Sequence, residues 1–134
     1  MQSQQYNIGL QSYKEQTITT MTQGEMLVTL YDEIIKRLKK GKILIEHQDY
    51  TNAETELGRV REIVAYLDSA LDRKYEVSAN LSQLYRFFDY QTVRVIAGRK
   101  TEMIDELIPL IEEMRDAFKQ ADVLSKQQNQ ASKS

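Results

Sequence analysis

The sequence predicts an all-α fold, an antiparallel four-helix up-down bundle with a loosely attached N-terminal segment, on three observations. The 134 residues include one proline and five glycines, too few for a sheet protein, which needs turn residues about every 8–12 positions. Leu, Glu, Lys, Gln, Ala and Arg, the better helix formers, dominate instead. Apolar residues recur at steps of three and four along four stretches separated by short breaks. The expected organisation is an extended or partly helical segment over 1–20, the bundle over 21–125 and a disordered tail over 126–134, where KQQNQASKS turns polar and small.

The first helix opens at Thr22-Gln23-Gly24-Glu25, a capping box in which the Thr22 hydroxyl accepts from the backbone of Glu25 and Glu25 reaches back. Its apolar stripe is Leu27, Leu30, Tyr31, Ile34, Leu38 and Ile45. Gly41 leaves a gap there for close approach by a neighbouring backbone, and the helix is expected to end near His47. Asp49 caps the second helix, with a regular stripe of Ala53, Leu57, Val60, Val64, Leu67 and Leu71. Residues Asp72 to Glu76 turn the chain. The third stripe is Val77, Leu81, Leu84, Phe88, Gln91 and Val95, with Gly98 as its stop. Thr101 caps the fourth helix, striped by Ile104, Leu107, Ile111, Met114, Phe118 and Ala121. Pro109, inside it, removes the bond to the carbonyl of Asp105 and favours a bend.

Composition argues against most chemistry. Hydrophobic residues at 41% and charged residues at 28% are the ordinary mix of a globular chain. No apolar run approaches the roughly 20 residues of a membrane-spanning helix, so no membrane insertion is expected. The N-terminus lacks the basic-then-apolar order of a secretion signal. With no cysteine there are no disulfides, thiolate metal sites or cysteine nucleophiles, which fits a reducing, cytoplasmic setting. A net charge of −2 sets up no field for nucleic acid. A di-metal bundle would need inward Glu-x-x-His pairs. The single histidine, His47, has Leu44 three residues before it and sits at a helix end, where a cation is favoured. No catalytic residue, metal site or cofactor is therefore expected, and the protein reads as a non-enzyme. The basic run Lys36, Arg37, Lys39, Lys40 and Lys42 reads either as a solvated face near a helix C-terminus or as a site for phosphates or an acidic partner.

The stripes leave apolar residues over. Ile63, Tyr66 and Ala70 form a row beside the second stripe. Phe87 and Tyr90 share a face with Arg94, turned from the third, and Met103, Leu110 and Leu124 widen the arc of the fourth. Such rows either broaden contacts within the bundle or line a groove for an apolar helix. The abundance of tyrosine, eight against no tryptophan, suits a face alternately wet and covered. Near the start, Leu10 and Tyr13 stand alone in polar sequence. They could fray, cover an empty groove or serve as a docking peptide.

Five pieces stand in order along the chain: Tyr13, Leu30-Tyr31-Asp32, Leu67 to Asp72, Asn80-Leu81-Ser82-Gln83-Leu84-Tyr85 and Arg115-Asp116-Ala117-Phe118-Lys119-Gln120-Ala121. Through them, over roughly Tyr13 to Ala121, the chain resembles the flagellin-specific export chaperones, the FliS family. It departs from the family at Gln23-Gly24, at Tyr90-Gln91 and Val95-Ile96, at Phe118 in place of a tryptophan, and at Pro109. The resemblance implies a cytoplasmic, non-catalytic chaperone that binds the disordered C-terminal segment of flagellin, prevents premature polymerisation and delivers its client to the cytoplasmic domain of the export gate. It further implies a monomer forming a 1:1 complex, with Leu10 and Tyr13 in gate docking. The client-groove residues expected from the surplus rows are Ile63, Tyr66, Phe87, Tyr90, Arg94, Met103 and Leu110. The alternative is a non-catalytic helical adaptor or dimerising bundle with another partner.

Overall fold

The computed structural model describes residues 23–133, which form α1 (Gln23–Glu46), α2 (Tyr50–Ser69), α3 (Glu76–Gly98) and α4 (Glu102–Lys133). The described residues contain no strand. The all-α expectation holds, and the helix boundaries hold closely except at the end of α4. Thr22, Leu10, Tyr13 and the segment 1–20 lie outside the described residues. Two compact units divide the chain, Leu30–Met114 and a second made of residues 23–29 with 115–133.

Leu30–Met114 carries the bundle core. Tyr31, Ile34 and Leu38 of α1 meet Leu57, Val60, Val64 and Leu67 of α2, Tyr85 and Phe88 of α3, and Ile104, Leu107 and Ile111 of α4, all sealed from solvent. Each such aliphatic or aromatic side chain contributes about 1.5–3 kcal/mol on burial.

Charge pairs mark which helices adjoin. Arg37 of α1 meets Glu56 of α2 at 2.9 Å, with Glu33 of its own helix at 2.6 Å. Lys40 reaches the same Glu56 at 3.2 Å. Arg61 of α2 meets Asp89 of α3 at 2.8 Å, and Lys42 of α1 meets Asp105 of α4 at 2.6 Å. Thus α1 lies between α2 and α4, and α2 between α1 and α3. In a four-helix ring this order leaves α3 and α4 as neighbours, which their three-residue connection favours. The same pairs decide the basic run. Three of its five cations are matched by carboxylates from α2 and α4 that no local pattern reveals. Lys36 and Lys39 stay exposed.

Local chemistry explains the helix ends. The Asp49 carboxylate accepts the Asn52 N–H at 3.4 Å, capping α2 as predicted. Before it Gln48 turns left-handed at φ 61, and its N–H donates to the Ile45 carbonyl at 2.9 Å. At the end of α3 the left-handed position falls on Arg99 (φ 56) rather than on Gly98. The Arg99 N–H donates to the Val95 carbonyl at 2.8 Å, and its guanidinium stacks 4.1 Å from the centre of the Tyr50 ring. Gly41 is buried, but the group that approaches it is a side chain and not a backbone. A Cβ there would stand 2.9 Å from Cδ2 of Leu57.

Two expectations need correction. The N-terminal half of the α3 seam is rotated by one residue from the predicted stripe: Ser78, Ser82 and Tyr85 are buried and Val77 is 57% exposed, while Phe88, Gln91 and Val95 are buried as expected, with Thr92 beside them. The serines keep this side of α3 small, and Ser78 Oγ donates to the Asp72 carbonyl at 2.5 Å. Tyr85 is admitted because its hydroxyl meets that of Tyr31 at 2.5 Å. The second correction concerns 126–134, expected as a disordered tail. α4 instead runs through Lys126 to Lys133. No Gly or Pro follows Pro109, so propagation costs little. In this second unit the Lys126 ammonium bonds the Glu25 carboxylate and reaches Asp122 at 3.1 Å. Gly24 lies so close to the Asp122 carboxylate that a Cβ would overlap it.

Candidate functional site

An α-helix turns about 100° per residue, so a charge pair that marks one neighbour also orients every other side chain on that helix. On α3, Asp89 points to α2. Phe87, Tyr90 and Arg94 stand about 100–160° from it, on the side away from α2. On α4, Asp105 points to α1, and Met103 and Leu110 stand about 140–160° from it, on the side away from α1. Both sets therefore open onto the α3–α4 side of the bundle. Tyr90 lies eight residues before the end of α3 and Leu110 eight after the start of α4, which puts them at one height in antiparallel neighbours. Five of the seven predicted groove residues share this face.

The other two do not. Ile63 is two helical turns from Glu56, the residue that bonds Arg37, so it lies almost directly in line with Glu56 on the α1 side of α2. Tyr66 follows one turn on. These two form a separate patch.

The surplus rows are largely outside. Phe87 is 40% exposed, Tyr90 60%, Leu110 42% and Tyr66 46%, while Ile63 and Met103 are half-buried and Arg94 is exposed. The contrast of neighbours is sharp: Phe88 is sealed while Phe87 beside it is not, their rings 6.2 Å apart. Arg94 sits 5.9 Å from the centre of the Tyr90 ring, a cation held over an aromatic face. An exposed aromatic ridge with a cation at one end can seat an apolar helix and pair with an acidic or carboxamide group on it.

Two further surface features lie elsewhere. Tyr75 and Val77 at the α2–α3 turn are also exposed, with the Lys74 ammonium 5.4 Å from the centre of the Tyr75 ring. A cleft lined by Ile45, Ala53, Leu57, Val95 and Ile96 lies under the Tyr50–Arg99 stack. Neither was singled out from sequence, because turn exposure and the left-handed Arg99 have no periodic signature. Among the described residues no three His, Asp or Glu side chains converge as metal ligands would, and no helix is long and apolar enough to cross a membrane.

Comparison with known proteins points the same way as the residues. A family model described as flagellar protein FliS matches residues 5–125. The chain is 27% identical over 110 residues to the flagellar secretion chaperone FliS of Bacillus subtilis (strain 168), covering 82% of this chain and 83% of that one. To the flagellar secretion chaperone FliS of Vibrio cholerae serotype O1 it is 26% identical over 117 residues, covering 83% and 86%.

Proposed function

This chain belongs to the FliS family of flagellar proteins, and from that premise we propose that it is a cytoplasmic secretion chaperone for flagellin. It binds the client's C-terminal segment, which is disordered in the monomer, and covers the surface that would otherwise polymerise early. It then delivers the client to the cytoplasmic domain of the export gate, with Leu10 and Tyr13 taking part in docking. It acts by binding alone, as a monomer with one client per chain.

The exposed ridge of Phe87 and Tyr90 on α3, level with Leu110 on α4, supports this reading most directly. A disordered segment gains little from one pocket, but an apolar ridge lets it fold as an amphipathic helix whose buried face repays part of its lost conformational entropy. The ordering cost keeps affinity moderate for the area covered, which suits a carrier that must release its cargo. The Ile63–Tyr66 patch is a second landing point, reached by a client that continues round the bundle.

Titrating a flagellin C-terminal peptide into the protein while following heat and helicity tests the reading. Binding at or below tens of micromolar, with a gain of helix in the peptide, is the expected result. A peptide that stays a coil and gives no heat rejects it. Phe87→Asp is expected to weaken binding at least tenfold with the melting temperature little changed, since truncating an aromatic anchor commonly costs about 1–2 kcal/mol or more. Tyr66→Asp is expected to weaken it as well if the second patch is used.

A further inference from the structure

Gln91 is a buried polar residue of α3. It is 8% exposed, and its Oε1 is sealed from solvent with no hydrogen-bond partner. Among the described residues no hydrogen bond reaches either end of its carboxamide. Buried polar groups are rarely left this way. Thr92, its neighbour, shows the usual solution: its hydroxyl donates to the Phe88 carbonyl at 2.7 Å.

Helical spacing says where this carboxamide sits. Residues three and four apart are neighbours on a helix surface. Gln91 is four after Phe87 and three before Arg94, both exposed on the ridge side. It is also three after Phe88 and four before Val95, both sealed. Gln91 is therefore the boundary position, between the core seam and the exposed row, on the side of α3 that faces α4. Turning its terminal torsion, which is broad, presents either the oxygen or the NH2 to that row.

We propose that Gln91 is the specificity-determining residue of the α3–α4 face, and that its free carboxamide is completed by a side-chain carboxamide, Asn or Gln, on the bound client helix. This rests on the reading of that face as the client site. The occupant is chosen by complementarity. Whichever end Gln91 presents, the oxygen or the NH2, a carboxamide supplies the matching donor or acceptor, whereas an ammonium only donates and a carboxylate only accepts. Ridge residues such as Phe87 contribute apolar area that tolerates many sequences, whereas a buried polar group left unpaired rejects a client that lacks the matching group. Its place one step behind the ridge means the pair closes only when a helix is fully seated.

The test uses the full chain and a flagellin C-terminal peptide, with Gln91→Leu, Gln91→Met and a set of peptides in which each Asn or Gln is replaced by Ala. Both protein variants are expected to melt at or above the wild-type temperature, because they remove an unpaired polar group, and to bind the native peptide at least tenfold more weakly. One peptide replacement is expected to cost the same factor against wild type and nothing further against Gln91→Met. Wild-type binding with either folded variant within twofold of it overturns the role of Gln91 and leaves the client site standing. Weak binding by the variants with no peptide replacement coupled to Gln91→Met also overturns it. A wild-type protein that binds no peptide overturns the client reading, and this proposal with it.

Discussion

Tyr31 and Tyr85 are separated by 54 residues and share a hydrogen bond between their hydroxyls inside the core. Both hydroxyls are pushed above the ordinary tyrosine value, each chiefly by burial, with the shared bond adding to the rise at Tyr31. A hydroxyl sealed in the core without its partner costs about 1–3 kcal/mol, so Tyr31→Phe should destabilise the protein by that order. The double variant Tyr31→Phe/Tyr85→Phe should cost clearly less than the sum of the singles, and chemical denaturation of all four proteins measures it. A pH dependence follows. Because the folded-state values lie above the unfolded value near 10, the unfolded chain loses these protons first as pH rises. Stability from this pair is thus present below about pH 10 and lost above it. Melting curves from pH 7 to 11 are expected to stay level and then fall, with a shallower fall in the double variant.

At the scale of the helix, α3 shows what periodicity can and cannot read. Phe88, Gln91 and Val95 belong to the predicted stripe and are buried. At the N-terminal half the most hydrophobic choice, Val77, Leu81 and Leu84, loses to Ser78, Ser82 and Tyr85, one position round. Hydrophobicity ranks side chains singly, whereas packing also selects size and the presence of a hydroxyl partner on another helix. The close approach at Gly41 is of the same kind. Gly41→Ala is expected to destabilise by about 1–3 kcal/mol through the crowded Leu57, exceeding the gain of about 1 kcal/mol in helix propensity. Gln48→Gly, at an exposed left-handed position, should stabilise by up to about 1 kcal/mol, because a side chain there is strained. Thermal denaturation of the two variants decides both signs.

At the scale of the whole molecule, the bundle's order is readable from four ion pairs at its sides. Arg37–Glu56 is largely shielded from solvent, whereas the pairs of Lys40, Lys42 and Arg61 open to it and are worth about 0–1 kcal/mol each. Burial of the four apolar seams provides the stability, and the charges choose among arrangements of those seams. Raising salt to 1 M is therefore expected to change the melting temperature by only a few degrees. Client binding should show a negative heat-capacity change, the mark of apolar burial. Light scattering of the free protein is expected to give a monomer. A dimer that dissociates on adding client peptide would instead assign the ridge to self-association, the adaptor alternative.

By itself the sequence determined the all-α class, the four helices of the described residues, their boundaries within a few residues except at the end of α4, the Asp49 cap and the identity of Phe87, Tyr90 and Leu110 as apolar residues beyond the needs of the stripes. All of these rest on interactions among residues a few positions apart, where 3.6-residue periodicity and capping chemistry operate. Only the tertiary structure decided that Tyr85 is core while Val77 is not, that three cations of the basic run are matched by Glu56 and Asp105, that Ile63 and Tyr66 part from the other five groove residues, and that Gln91 Oε1 has no partner among the described residues. Each of those depends on which distant side chain arrives opposite, and helix-to-helix register is set by complementary size, charge and hydrogen bonding across the seams, which no local pattern encodes.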